Sequence, residues 1–95
     1  FMWSSGNWFK NDYCVYYGTA KSPIGPFEKE GVVVTTQEGV AKSPGHNGYF
    51  YLPEEDEYYL VYHRKAAEET NGHGRVLCID KMQVSDDGIE QVSMT

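Results

Sequence analysis

Residues 49–64 read YFYLPEEDEYYLVYHR and contain two runs rich in Tyr, Phe, Val and Leu on either side of an acidic turn. Aromatic and β-branched residues favour extended backbone, and proline with polar neighbours favours a turn, so this stretch predicts a β-hairpin. Both faces of the second run, 58–64, are largely apolar, which predicts a strand buried between packed sheets. One face carries Tyr58, Leu60 and Tyr62, and the other carries Tyr59, Val61 and His63.

The same strand and turn signals recur along the rest of the chain, and no segment keeps the apolar period of a helix. The predicted elements are strands at 1–4, 13–20 and 32–36, loops at 37–48 (with PGHNG) and 65–70 (KAAEET), and a second hairpin that joins 75–84 to 89–94 through Asp87-Gly88. The chain is therefore predicted to be all-β and built from antiparallel hairpins. The pattern alone leaves a sandwich, a barrel and propeller blades open.

Length and charge narrow the class of protein. The 95 residues are enough for one small domain, and an aromatic content of 15% with Tyr in the majority favours strands. A net charge of −6 without a basic stripe argues against a nucleic-acid partner. No stretch is long and apolar enough to span a bilayer, so no membrane partner is expected. The chain opens on FMW, so we expect further sequence upstream of Phe1, and the cellular location stays open.

The cysteines and histidines give no sign of a zinc site. Cys14 and Cys78 each lie in an apolar run, which favours buried free thiols, while a disulfide between them stays open. His46, His63 and His73 show none of the close paired spacings with each other or with the cysteines that zinc sites use.

Four stretches, taken in order, resemble a known family. YCVYYGTAKSPIGPF at 13–27, PGHNG at 44–48, YYLVYHR at 58–64 and GRVLCIDKM at 74–82 are similar to the C-terminal part of glycoside hydrolase family 43. The resemblance implies a five-bladed β-propeller enzyme that acts on arabinan- and xylan-type plant polysaccharides, in a secreted or periplasmic location. It also implies that residues 1–95 form about two blades as a single partial domain, with no second domain.

The resemblance implies an inverting glycosidase, in which one carboxylic acid protonates the leaving oxygen and a carboxylate base activates water on the other face. By the order of the family the acid would lie just upstream of Phe1, so this chain is expected to lack the catalytic carboxylates. The clustered acids present here fall in turns, where solvation does not supply the raised pKa of a catalytic acid. These acids, none of which is a catalytic candidate, are Glu54, Glu55, Asp56, Glu57, Asp86 and Asp87.

Three residues are candidates for binding. The resemblance implies that His46 stands at the propeller axis and contacts a calcium ion through its water shell, although Gly48 replaces the polar residue that the family commonly carries there. It also implies that Arg75 reaches a sugar subsite, where its fixed donors suit vicinal hydroxyls. Trp8 lies in a predicted loop, where an exposed ring can stack on a sugar. The alternatives are a loop histidine, an arginine that bridges surface acids and a tryptophan packed under its loop.

Two functions of different classes follow from these residues. The first is a part of a glycosidase that contributes sugar contacts. The second is a non-catalytic carbohydrate-binding module that associates with copies of itself to cover its open sheet edges. A core of this size contributes only ~3–5 kcal/mol, so a homo-oligomer or missing upstream blades are expected in any stable form. The expected ligand in both cases is a plant-type polysaccharide or oligosaccharide.

Overall fold

The computed structural model describes residues 1–7, 9–71 and 73–95, and every regular element in these ranges is a β-strand. No helix able to cross a membrane occurs in this part of the chain. The strands are β1 Met2–Ser5, β2 Cys14–Thr19, β3 Glu28–Val34, β4 Ala41–Leu52, β5 Glu57–Ala66, β6 Val76–Met82, β7 Val84–Ser85 and β8 Gly88–Ile89.

The strands form two three-stranded sheets and a small hairpin. The first sheet has the order β1-β2-β3 and the second has the order β4-β5-β6, with neighbours antiparallel throughout. In the hairpin, β7 pairs with β8 across the turn at 85–88, so the Asp87-Gly88 signal marks a turn as predicted. Every pairing among the described residues therefore joins strands that are adjacent in sequence, which confirms the predicted all-β class.

The hydrophobic core lies between the two sheets. Alternate residues of the central strands β2 and β5 point into it, because side chains of a strand alternate between its faces. The buried members are Val15, Tyr17, Val33 and Val34 of the first sheet, Ala41, Leu60, Tyr62 and Met82 of the second sheet, and Val92 and Met94 near the C-terminus.

Residues 90–95, the C-terminal segment, run without strand pairing and join the two sheets. The Val92 N–H donates to the carbonyl of Val33 at 2.6 Å, on the first sheet. The Thr95 hydroxyl donates to Oδ1 of Asp80 at 2.6 Å, on the second sheet. The side chains of Val92 and Met94 fill the space between these two anchors.

A buried polar network fixes this junction. The Tyr62 hydroxyl donates to Oδ2 of Asp80 at 2.6 Å, and Arg64 donates to the Tyr62 oxygen at 3.3 Å and to the Thr95 carbonyl at 2.5 Å. Burial, and then the hydrogen bond to Asp80, raises the pKa of Tyr62 well above its usual range. The phenol therefore stays protonated and remains a donor to the carboxylate.

Two stretches predicted as loops belong to strands. PGHNG lies inside β4, and β5 continues to Ala66 through part of KAAEET. The glycines and the proline are tolerated in β4 because the ladder is interrupted there. Gly45 pairs with His63 and Gly48 pairs with Val61, with a register shift on each side of Gly45. The residues between these pairs bulge out of the ladder.

The prediction that residues 58–64 are buried on both faces is right for one face only. Leu60 and Tyr62 are buried on the inner face, whereas Tyr59 and Val61 are only half-buried on the outer face. The pairing partner of Val61 on β6, Ile79, is 54% exposed. The outer face of the second sheet is apolar but is not covered by another sheet in the described residues.

The predicted second hairpin and the cysteines have different outcomes. The predicted hairpin is formed only where Val84 pairs with Ile89, because β6 pairs with β5 and residues 90–95 continue as the C-terminal segment. Cys14 and Cys78 are both free thiols, with Cys14 buried and Cys78 partly buried. The reading as free thiols is therefore confirmed, and the disulfide alternative is not formed.

Candidate functional site

The strand β4 presents His46 through two successive bulges. The register of β4 against β5 shifts between Lys42 and Gly45 and again between Gly45 and Gly48. Each bulge contains a residue other than glycine with positive φ, Ser43 at 52° and His46 at 51°. Such backbone costs free energy and persists where surrounding contacts hold it, and a bulge re-aims the side chain that it carries. The His46 side chain is consequently exposed.

His46 opens onto a shallow pocket of about 280 Å³ that is lined by Tyr13, His46, His63 and Arg75. The ring of His63 stacks on Tyr13, with centroids 6.2 Å apart and planes 21° apart. It also stacks on His46, with centroids 5.9 Å apart and planes 18° apart. The guanidinium carbon of Arg75 lies 5.8 Å from the centroid of the Tyr13 ring. The pocket therefore combines three nearly parallel rings with one cation.

The four lining residues come from both sheets. Tyr13 immediately precedes β2, His46 and His63 lie on the paired strands β4 and β5, and Arg75 immediately precedes β6. The close approach of the two sheets at this point requires a glycine. A Cβ atom added to Gly45 would lie 2.1 Å from the ring of Tyr13.

Burial dominates the electrostatics of the pocket. It lowers the pKa of His63, and the nearby Arg75 and His46 lower it further, so the imidazole is held neutral. Nδ1 of His63 is buried and has no hydrogen-bond partner among the described residues. Burial also lowers the pKa of Arg75, but a guanidinium remains charged in proteins. The Arg75 guanidinium donates to the backbone carbonyl of Ser43.

No carboxylate of the part of the chain that the structure describes lines this pocket. The acidic turn lies elsewhere, and its carboxylates accept hydrogen bonds from tyrosines: Asp56 from Tyr51 at 2.6 Å and Glu55 from Tyr59 at 2.8 Å. Asp80 is buried and already accepts from two hydroxyls. The pocket residues can therefore bind and orient a ligand, but they do not supply the pair of carboxylates that glycoside hydrolysis uses.

The pocket residues do not by themselves fit a calcium ion. Calcium takes six to eight oxygen ligands, with carboxylates prominent among them. The pocket offers two imidazoles, a phenol and a cation. In the described residues no group of three or more His, Cys, Asp or Glu side chains could hold a metal. Direct coordination by His46 within this set of residues is not supported.

The structure brings two of the three predicted binding residues together. His46 and Arg75 line one pocket, and Trp8 lies outside the described residues. Tyr13 and His63 complete the pocket but are not selected by the sequence. In the sequence they lie in predicted strands among other aromatic residues, and no local signal marks them as part of a site.

The chain is similar to one curated enzyme and to solved structures. It is 40% identical over 89 residues to a β-D-galactofuranosidase, XynD, of Aspergillus niger, which covers 93% of this chain and 26% of that protein. The crystal structure of an endo-1,4-β-xylanase from Bacteroides thetaiotaomicron matches with a TM-score of 0.78 at 21% identity, over 99% of this chain and 33% of that one. A thermostable family-43 glycoside hydrolase matches with a TM-score of 0.74 at 24% identity, over 99% of this chain and 31% of that one.

These matches confirm the predicted fold class and the predicted family. The chain spans about a quarter of the galactofuranosidase and about a third of each solved enzyme. The two sheets correspond to partial blades of a β-propeller. The family model described as glycosyl hydrolases family 43 matches residues 1–89. The chain therefore belongs to glycosyl hydrolase family 43.

Proposed function

We propose that this chain is the sugar-contacting C-terminal part of an enzyme that hydrolyses O-glycosyl bonds in arabinan- or xylan-type plant polysaccharides. In the complete protein the reaction proceeds with inversion, and the catalytic carboxylates come from blades outside this chain. The observation that carries the proposal is the pocket in which His46 and Arg75 meet Tyr13 and His63. Membership of the family supports glycoside hydrolysis as the reaction class.

The chemistry of the pocket suits a neutral sugar. Arg75 carries planar N–H donors that match neighbouring hydroxyls, and the aromatic rings offer apolar faces to C–H groups of a sugar ring. Because His63 is held neutral, the pocket does not gather a second full positive charge at that position. One relative is named a β-D-galactofuranosidase and one structural neighbour an endo-1,4-β-xylanase, which supports a glycan with furanose or pentose units as the ligand.

We further propose that calcium, when part of the complete site, contacts His46 only through water. The oxygen ligands would then come from blades outside this chain, because none of the pocket residues is a carboxylate. The chain by itself is accordingly expected to show no shift of its His46 resonances when calcium is added.

The test of the proposed function is a titration of the chain with arabinotriose and with xylotriose, followed by NMR. We expect the largest shifts at the pocket residues and loss of binding in Arg75→Gln. Lys29→Gln is the matched control, since Lys29 lies over the ring of Tyr16 on the outer face of the first sheet. An equal loss of sugar binding in Arg75→Gln and Lys29→Gln would contradict the proposal. Resonance shifts confined to residues outside the pocket would also contradict it. Hydrolysis of either sugar by the chain alone would contradict the placement of the catalytic carboxylates.

A second candidate function is a non-catalytic binding module that associates with copies of itself. Two uncovered apolar faces favour it. On the first sheet the rings of Phe1 and Trp3 stack with centroids 5.9 Å apart, and the ring centroids of Phe1 and Phe27 are 5.0 Å apart. On the second sheet Leu77 is 75% exposed. Patches of this kind mark interaction sites.

Light scattering of Leu77→Asp against the unchanged chain tests this second candidate. A dimer or larger species that the substitution converts to monomer would support self-association through the outer face of the second sheet. A monomer in both cases would exclude it. Ala20→Asp, at an exposed position after β2, adds the same charge away from that face and controls for a change of charge alone.

A further inference from the structure

We infer that Ser4 and Tyr13, contributed by the first sheet and the loop before β2, are positioning residues that hold the bulges of β4 and thereby orient His46 and Arg75. The inference rests on the proposed function of the pocket. Neither residue is marked by the sequence as part of a site, and each acts through its contact with β4.

Ser4 satisfies the backbone of the second bulge. The His46 N–H donates to Oγ of Ser4 at 2.8 Å. His46 has no pairing partner on β5, because the register passes from the Gly45–His63 pair to the Gly48–Val61 pair. An N–H that leaves the ladder needs another acceptor. The Ser4 hydroxyl is that acceptor, and it fixes the peptide on which the imidazole is carried.

Tyr13 holds the backbone between the two bulges. Its ring lies against Gly45 so closely that a Cβ atom there would come within 2.1 Å of it. The same ring stacks on His63 and lies under the guanidinium of Arg75. One side chain thus touches the strand that carries His46 and two of the other residues that line the pocket.

The first bulge links Arg75 to the same strand. The Ser43 N–H donates to Oγ1 of Thr36 at 3.0 Å, and the Ser43 hydroxyl donates to the carbonyl of Lys10. The Ser43 carbonyl in turn accepts from Arg75. His46 and Arg75 are therefore attached to adjacent bulges of one strand, and movement of that strand would displace both.

The experiment compares five variants of the full chain, each checked by thermal unfolding. Ser4→Ala removes the acceptor and Ser4→Thr restores a hydroxyl. Tyr13→Leu removes the aromatic ring and Tyr13→Phe restores it. The matched control is Ser22→Ala, because Oγ of Ser22 accepts a backbone N–H from Ile24 in a loop whose residues do not line the pocket.

Two readouts distinguish positioning from general stability: the side-chain NMR resonances of His46 and His63, and the affinity for arabinotriose. We expect Ser4→Ala and Tyr13→Leu to shift the histidine resonances, and we expect Ser4→Ala to weaken affinity by about five-fold, the effect of one hydrogen bond. Ser4→Thr and Ser22→Ala should stay close to the unchanged chain in both readouts, and Tyr13→Phe should keep its histidine resonances.

Unchanged His46 resonances in Ser4→Ala would overturn the inference for Ser4, and unchanged resonances in Tyr13→Leu would overturn it for Tyr13. If Tyr13→Leu fails to fold, Ser4→Ala still decides the inference for the bulge. If the resonances shift as expected but the unchanged chain binds neither arabinotriose nor xylotriose, the positioning role stands and the proposed function fails.

Discussion

The imidazole of His63 stacks on that of His46 with ring planes 18° apart, and it does so in the neutral form. Burial is the main cause of the lowered pKa of His63, with smaller contributions from the charge of Arg75 and from His46. In the unfolded chain the same imidazole titrates near its ordinary pKa of 6.5. The folded and unfolded states consequently take up this proton at different pH.

We predict that acid weakens the fold through His63. Because its pKa is lower in the folded state, the unfolded chain binds the proton first as pH falls below 6.5. The stabilisation from neutral His63 is complete above that pH and is lost as pH falls toward the lowered pKa. Urea unfolding midpoints at about pH 7.5 and about pH 5.5 for the unchanged chain and for His63→Gln measure the difference. A parallel decrease in both proteins would contradict the prediction.

We predict that Gly45→Ala destabilises the chain by about 1–3 kcal/mol, the cost of forcing an extra methyl group into a packed contact. The added Cβ would collide with the ring of Tyr13, whereas a Cβ on Gly48 meets nothing within 4 Å. Urea unfolding of Gly45→Ala in the background of Tyr13→Ala should show a smaller loss, because the ring is gone. Gly48→Ala is the control. If Gly45→Ala lowers the free energy of unfolding equally with and without the Tyr13 ring, the collision with that ring is not the cause of the loss.

We predict that Tyr62→Phe destabilises the chain by about 1–3 kcal/mol, because it leaves a buried carboxylate oxygen of Asp80 without a donor. Tyr51→Phe is the control, since it removes the same hydroxyl from an exposed hydrogen bond to Asp56. Exposed pairs of this kind contribute little, so the control should leave the unfolding midpoint unchanged. Similar midpoints for the two variants would count against the buried network as a source of stability.

We predict that Met94→Ala costs about 2–5 kcal/mol, as is typical for truncating a buried Met. Met94 is 4% exposed in the core, and its N–H donates to Oε1 of Gln37 at 2.5 Å. The backbone hydrogen bond survives the substitution, so the measured loss reports the side chain. Val84→Ala, at a position that is 43% exposed, should cost far less in the same denaturation experiment.

The strands could be predicted from local pattern, but the bulges could not. Residues 49–64 predict a hairpin because strand-forming residues lie on both sides of a turn. Pro44 and Gly45 are turn residues by the same local chemistry, and they lie in a strand only because His63 pairs with Gly45 and Lys65 pairs with Lys42. That pairing depends on residues distant in sequence, so tertiary context overrides the local preference.

The candidate site was predictable to a similar extent. The resemblance to the family selected His46 and Arg75, which line one pocket. The ring of Tyr13 completes that pocket through contacts with Gly45 and His63, which arise only when the two sheets pack. A tyrosine in an aromatic-rich chain carries no local mark of such a contact.

The C-terminal segment has a consequence for folding during synthesis. Val92 and Met94 complete the core, and they follow every other core residue in the chain. On the ribosome, β1 to β6 would emerge first and could form their local hairpins. The core between the two sheets could be completed only after residues 90–95 have left the exit tunnel. Until then the nascent chain would expose apolar strand surface, and exposed surface of this kind makes a folding intermediate prone to aggregation.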